Sequence, residues 1–139
     1  MSARSEIPTS PEMHCRHRAK SMPPETGAYL WDALEAAEFA QSIAEKSSRR
    51  EFSDDWILQA AAERKLEILG EALNRIRQTD LPTALRIPSV NEIIATRHVI
   101  AHGYATVDSE RVWRMIRDDL PQLIVSLRNL LEEFGPPPR

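Results

Sequence analysis

The stretch "SDDWILQAAAERKLEILGEALNRIRQT", residues 53–79, decides the fold class because its apolar residues recur every three or four positions, as on one face of an α-helix. These positions are Leu58, Ala62, Leu66, Leu69, Leu73 and Ile76. Ser53, followed by Asp54 and Asp55, predicts an N-cap with acidic residues in the first turn. We therefore predict one long amphipathic helix that ends near Thr79.

Two further helices are predicted on either side of this stretch. From Tyr29 to Ala44 the apolar residues again have helical spacing, and the run ends in the polar sequence "EKSSRRE". Downstream, "SVNE" at residues 89–92 fits a capping box and predicts a shorter helix through Ile100. Gly103 is expected to end that helix, as C-terminal glycines commonly do.

A fourth helix is predicted near the C-terminal end of the sequence. Asp108 is its expected N-cap, and Val107 and Val112 have the spacing of a hydrophobic staple. An apolar stripe continues from Val112 to Phe134. Pro121 lies inside this helix, where the lost hydrogen bond and the ring clash cost about 3 kcal/mol, so a kink is expected there.

No segment shows the alternation of a β-strand, so the sequence predicts an all-α fold, an antiparallel bundle of four main helices. At 139 residues the chain has the length of one domain. We place the bundle at residues 26–135. Residues 1–25 hold four of the ten prolines and no apolar periodicity, which predicts a mobile tail, and residues 136–139 form a C-terminal tail.

Composition narrows the possible functions. The formal net charge of -3 limits any RNA contact to a local surface. No apolar run is long enough to span a membrane, and no secretory signal pattern is present, so we expect a cytoplasmic protein. Cys15 is the only cysteine, which excludes an intrachain disulfide and a cysteine-based zinc site. His14, Cys15 and His17 lack a fourth ligand, so no metal and no cofactor are predicted.

The stretch "TRHVIAHGYATVD", residues 96–108, concentrates polar groups that a packing helix does not need. Arg97 and His102 are five residues apart, which separates their directions by about 140° on a regular helix. They could still meet at one concave spot, because the helix is expected to end at Gly103 and the arginine is long. A guanidinium binds phosphate and an imidazole carries protons near neutral pH, a combination that suits RNA cleavage. Tyr104 could add a hydrogen bond to the same phosphate.

An arginine and a histidine near a helix end also occur commonly as a terminal charge and a satisfied polar group. Wider sequence context favours the functional interpretation. In order and spacing, the stretches at residues 61–76, 90–108 and 112–124 resemble the HepT-like branch of the HEPN superfamily. That family shares an arginine, four to six intervening residues, a histidine and a tyrosine two positions further on. Arg97 and His102 match this pattern.

Tyr104 matches the third motif position. The resemblance implies a metal-independent endoribonuclease toxin whose site forms across a homodimer. It also implies a separately encoded minimal nucleotidyltransferase as antitoxin, which silences the toxin by adenylylating the motif tyrosine. His98 departs from the pattern, since the residue after the arginine is more often Asn or Asp.

A homodimer also answers a chemical requirement, because cyclising RNA cleavage needs an acid and a base and each chain offers one motif histidine, His102. His98 could instead be the second proton carrier, but its position on a helix turns it about 100° from Arg97. Arg64 and Glu71 belong, with Glu67 and Arg75, to an ion-pair ladder at three- and four-residue steps, which is usually a solvated face. The resemblance places their helix beside the motif, so both are predicted to orient Arg97 or His102.

Two tryptophans, Trp56 and Trp113, are interpreted as core or interface anchors rather than base-stacking platforms. The leading hypothesis is a ribonuclease toxin acting on RNA. The alternative is a non-catalytic HEPN module that binds a nucleotide or a partner and acts with a nucleotidyltransferase. A third reading is a plain dimerisation bundle.

Overall fold

The computed structural model describes residues 23–101 and 108–134, without the side chains of Ile100, Ala101 and Phe134. Helices are the only regular secondary structure in this part of the chain, which confirms the all-α prediction. The elements are α1 (Pro24–Lys46), α2 (Arg49–Asp54), α3 (Trp56–Thr79), α4 (Leu81–Ala84), α5 (Val90–Ala101), α6 (Ser109–Arg114), a π-helical turn (Met115–Asp119) and α7 (Leu120–Phe134). None of these helices is long and apolar enough to cross a bilayer.

Polar contacts between helix ends show that neighbouring helices run antiparallel. Thr26 Oγ1 donates to Asp80 Oδ2 at 3.2 Å, so the start of α1 lies beside the end of α3. Arg77, near the end of α3, donates to Asn91 Oδ1 at 2.8 Å, so α5 begins there and runs back along α3. The first three long helices therefore alternate in direction.

The last helix returns along α1. Arg86, in the loop after α4, binds Glu133 near the end of α7, with its Nη2 at 2.7 Å from Oε2. Arg128 of α7 forms an ion pair with Glu38 of α1. Since the end of α7 lies near the end of α3, the bundle has the predicted antiparallel arrangement.

Small residues allow close packing in the middle of the bundle. Helix α1 packs against α3 and α7, and α3 also packs against α5. The buried face of α1 is rich in alanine, whose short side chain permits helix axes to approach closely. Its buried alanines are Ala33, Ala36, Ala37, Ala40 and Ala44. Leucines and isoleucines of α3 and α7 fill the space opposite this face.

The predicted start of the long helix at Ser53 is wrong. Ser48 caps the short helix α2, accepting from Glu51 N–H at 3.0 Å in a capping box. Ser53 lies inside α2, and Asp55 caps α3 by accepting from the N–H groups of Ile57 and Leu58. Ser53 and Asp55 are both good caps, and only the tertiary fold decides between them. The predicted end of the helix at Thr79 is confirmed.

Other boundaries need smaller adjustments. Helix α1 begins at Pro24, so its first residues fall in the predicted tail, of which residues 1–22 lie outside the described part. Helix α4 was not predicted; Asp80 caps it, accepting from Thr83 N–H at 3.3 Å. Ser89, the predicted first residue of the capping box, has φ 60°, whereas an N-cap is usually extended.

The irregularity that Pro121 predicts takes the form of a widened turn. Residues Met115–Asp119 form a π-helical turn in which Leu120 N–H donates to the carbonyl of Met115, five residues back. Pro121 then becomes the second residue of α7, and a first-turn position tolerates a residue without N–H. Asp108 caps α6 as predicted, accepting from Glu110 N–H. Val107 lies outside the described residues.

The two tryptophans differ in burial. Trp113 is 8% exposed, and its ring centroid lies 5.4 Å from that of Phe52, so the core interpretation is confirmed for this residue. Trp56, the first residue of α3, is 74% exposed. The core interpretation is therefore wrong for Trp56, and a role at an interface stays a prediction.

The N-cap assignment gives a direct stability test. Asp55→Ala should lower the free energy of unfolding by about 1 kcal/mol, because two N–H groups at the start of α3 lose their acceptor. Ser53→Ala should leave it within about 0.5 kcal/mol, since this exposed side chain does not cap α3. Urea unfolding of both variants measures the difference. A larger loss for Ser53→Ala than for Asp55→Ala would contradict the assignment.

Candidate active site

The site is built where α3 and α5 cross, and Gly70 sets their separation. A Cβ atom at position 70 would lie 2.2 Å from Cβ and 2.7 Å from Cγ of Arg97. Real side chains do not approach this closely, so any residue with a Cβ would push the two helices apart. The stem of Arg97 thus lies directly on the backbone of α3.

This close approach brings the Arg97 guanidinium to Glu71, the next residue of α3. Arg97 Nη2 donates to Glu71 Oε1 at 2.7 Å, the length of a charge-assisted hydrogen bond. The Arg97 side chain is 27% exposed, so the cation is partly buried with the carboxylate as counter-charge. Its Nε is buried and has no hydrogen-bond partner among the residues described. The guanidinium is therefore held firmly on one side while retaining unused donors.

Glu71 also binds a second arginine. Arg75 Nε donates to Glu71 Oε2 at 2.9 Å, one helical turn further along α3. The hydrogen bond and the charge of Glu71, with a smaller contribution from Tyr29, raise the pKa of Arg75 above its usual value. One carboxylate thus separates two guanidinium groups, and the three side chains together carry a positive charge.

The structure places the other predicted site residues as follows. Arg64 forms an ion pair with Glu67 on the same helix, with its Nη1 3.3 Å from Oε1. This contact does not link Arg64 to the Arg97–Glu71 pair. His98 lies exposed on α5, whereas its neighbour Arg97 is largely covered by α3. His102 lies outside the described residues.

Two further predictions about the motif also fall outside the described part. These are the helix stop at Gly103 and the placement of Tyr104. Described residues of α5 end at Ala101, one position before the motif histidine. The structure therefore brings together Arg97 and Glu71, and the meeting of Arg97 with His102 stays a prediction.

A polar cleft lies between α5 on one side and α6 with the π-helical turn on the other. It is lined by Glu92 and Thr96 on one side and by Arg111, Asp118 and Asp119 on the other. Burial raises the pKa of Asp119, and the charges of Asp118 and Glu92 raise it further. Across the described ranges, no three His, Cys, Asp or Glu side chains are arranged to hold a metal ion. The cleft is lined mainly by charged side chains and lies beside the motif helix α5.

Comparison with known protein families assigns the chain to one of them. The family model described as "Ribonuclease HepT-like" matches residues 33–130, a range that contains α3, α5 and the motif positions Arg97, His102 and Tyr104. The chain belongs to the ribonuclease HepT-like family. The resemblance found in the sequence is thereby confirmed.

Relatives of this HepT-like protein have names that refer to RNases. It is 32% identical over 95 residues to "Probable ribonuclease HepT" of Thermococcus cleftensis, covering 68% of this chain and 86% of the relative. It is 27% identical to "Putative RNase MJ1380" of Methanocaldococcus jannaschii, covering 69% and 87%. Identity to "Putative RNase TTE0752" of Caldanaerobacter subterraneus is 28%, covering 76% and 93%. No solved structure gives a significant match.

The sequence patterns did not single out Gly70, or the contact of Arg75 with Glu71, in this HepT-like chain. A glycine in the middle of a long amphipathic helix lowers helix propensity by about 1 kcal/mol relative to alanine. That penalty was a usable signal, because such a glycine often marks a close approach of two backbones. Arg75 gave no signal beyond its place in a ladder of charges.

The helix crossing predicts opposite effects for two glycines. Gly70→Ala should lower the free energy of unfolding by about 1–3 kcal/mol, because the new methyl group collides with the Arg97 stem. Gly27→Ala is the matched control in α1, where no atom lies within 4 Å of the added Cβ. It should raise stability by about 0.5 kcal/mol through helix propensity. Thermal and urea unfolding measure both, and equal effects would contradict the role of Gly70.

Proposed function

We propose that this chain is the toxin of a toxin-antitoxin pair and acts as a metal-independent endoribonuclease. The observation that carries the proposal is the partly buried Arg97 guanidinium, fixed by Glu71 at a helix crossing and located in the family motif. A cation held in this way is preorganised for a phosphate, since little reorganisation is needed when charge develops on it. The names of the relatives support RNA as the substrate class.

The proposed reaction is an attack of a ribose 2′-hydroxyl on the adjacent phosphorus. The O2′–P bond forms and the P–O5′ bond breaks, which leaves a 2′,3′-cyclic phosphate and a 5′-hydroxyl. A base removes the 2′ proton and an acid protonates the leaving oxygen. His102 supplies proton transfer, and Arg97 offsets the charge that grows on the phosphoryl oxygens.

The proposal includes a homodimer. A single chain offers one motif histidine, whereas the reaction uses both an acid and a base. Two copies related by a two-fold axis would bring two His102 side chains to one composite site. His98, exposed on α5, is the alternative second proton carrier within one chain.

The proposal also includes control by a minimal nucleotidyltransferase antitoxin that adenylylates Tyr104. The phenol oxygen would attack the α-phosphorus of ATP, forming a Tyr–AMP phosphodiester and releasing pyrophosphate. The new phosphate would stand two residues after His102 in the sequence. There it could pair with Arg97 and occupy the position of an RNA phosphate.

The first test of this function is RNA cleavage in EDTA. The wild-type chain should cut single-stranded RNA and leave 2′,3′-cyclic phosphate ends, detected by mass spectrometry of the fragments. His102→Ala should lower the rate by about 100-fold or more, as loss of general acid-base catalysis does. Arg97→Ala should lower it by a similar factor, because removal of one preorganised donor typically costs about 100- to 1000-fold.

Arg86→Gln provides the control, since Arg86 is an exposed, carboxylate-paired arginine away from the crossing of α3 and α5. Its rate should equal that of wild type. Cleavage that EDTA abolishes, or that survives in His102→Ala, would contradict the mechanism. RNA or nucleotide binding without cleavage by wild type would favour the non-catalytic module. Light scattering across a dilution series accompanies the assay, and full activity from monomers would contradict the composite site.

The second test concerns Tyr104. After incubation with ATP, magnesium and a cognate nucleotidyltransferase, intact-protein mass spectrometry should show the addition of AMP to wild type and none to Tyr104→Phe. The modified protein should lose its ribonuclease activity, because the added phosphate competes for Arg97. Tyr29→Phe is the control for the only other tyrosine. A mass gain in Tyr104→Phe, or none in wild type, would contradict this part of the proposal.

A further inference from the structure

Arg75 is the outer member of a three-residue arrangement whose inner member is Arg97. Both arginines donate to the same carboxylate, Arg97 to Oε1 and Arg75 to Oε2 of Glu71. Their exposure differs, because the Arg97 side chain is 27% exposed and that of Arg75 is 54% exposed. The second cation therefore lies beside the first and closer to solvent.

The charge of this arrangement distinguishes it from the other ion pairs among the described residues. Arg64 with Glu67 and Arg86 with Glu133 are pairs in which one carboxylate meets one guanidinium. Glu71 instead meets two guanidinium groups, so one positive charge is left over. Such an excess attracts an anion, whereas a balanced pair does not.

The two arginines also keep N–H donors that Glu71 does not use. A guanidinium has five N–H groups, and Glu71 takes one from each arginine. Tyr29 of α1 also contributes to the raised pKa of Arg75. The remaining N–H groups of Arg75 are enough for a phosphate, which a guanidinium binds with two parallel hydrogen bonds.

We propose that Arg75 binds the RNA phosphate next to the one held by Arg97, and that Glu71, which accepts a hydrogen bond from each arginine, holds the two guanidinium groups side by side. The inference rests on the proposed function, since it takes RNA as the ligand. Arg75 is here a substrate-binding residue and takes no part in proton transfer. It would bind RNA without regard to sequence, because phosphate contacts carry no base information.

The salt dependence of RNA binding tests this role. The probe is a fluorescent single-stranded RNA of about 12 nucleotides, and His102→Ala prevents cleavage during titration. Arg75→Gln in that chain should weaken binding by roughly 10-fold and lower the slope of log affinity against log salt by about 0.7, the value of one lost contact to a single strand. Arg75→Lys, which keeps the charge, should keep the slope.

Arg86→Gln is the matched control, because Arg86 is 50% exposed and pairs with a glutamate as Arg75 does. It should change neither the affinity for RNA nor the salt slope.

The Glu71→Gln background distinguishes a purely structural role of Arg75 from direct phosphate binding. If Arg75 only holds Glu71, then Arg75→Gln should have no effect once Glu71 is replaced, and that result would overturn the inference. If Arg75 contacts phosphate, its replacement should still weaken binding there.

The outcomes separate this inference from the proposed function. RNA binding that does not depend on Arg75 would overturn the inference and leave the ribonuclease proposal standing. RNA binding that depends on Arg75 in a chain that never cuts RNA would uphold the inference and overturn the catalytic proposal. Absence of RNA binding by every variant would overturn both.

Discussion

The contact of Arg97 with Glu71 across the Gly70 crossing is the constraint on which the site depends. A partly buried guanidinium loses hydration, and the cost falls only if a carboxylate lies in good geometry beside it. Glu71 meets this need at 2.7 Å, and Gly70 permits it by leaving out a Cβ where the Arg97 stem passes. Helix packing and electrostatics therefore fix the same side chain.

Holding a cation and using it to bind substrate are opposed demands. A carboxylate that orients Arg97 also neutralises it, which weakens its attraction for phosphate. In the proposed RNA site Arg75 would meet both demands, because it shares Glu71 with Arg97 and leaves the three side chains with one positive charge. The carboxylate then supplies orientation while the arrangement as a whole remains cationic, although the protein has a net charge of -3.

Sequence patterns predicted the long helices and the motif. They failed where contacts with a neighbouring helix determine a boundary or a side-chain contact. Periodicity predicted α3 through Thr79, yet the choice between Ser53 and Asp55 as its cap depended on the packing of α2. The resemblance identified Arg97 as a motif residue. The ion-pair ladder offered both Arg64 and Glu71 as residues that orient Arg97 or His102. Their contact could not follow from periodicity, because it depends on which face of α5 meets α3 and on the space at Gly70.

The packing of α5 separates the stability of the bundle from the geometry of the site. In the described part of the chain, α1 packs on both α3 and α7, whereas α5 packs mainly on α3. Loss of a core contact between α1 and α7 should thus reduce stability while Arg97 keeps its position relative to Glu71. A change on the face of α3 that meets α5 affects both properties, since that face is the main support of the motif helix. Residues on this face of α3 consequently determine both stability and site geometry, whereas equally buried residues between α1 and α7 determine stability alone.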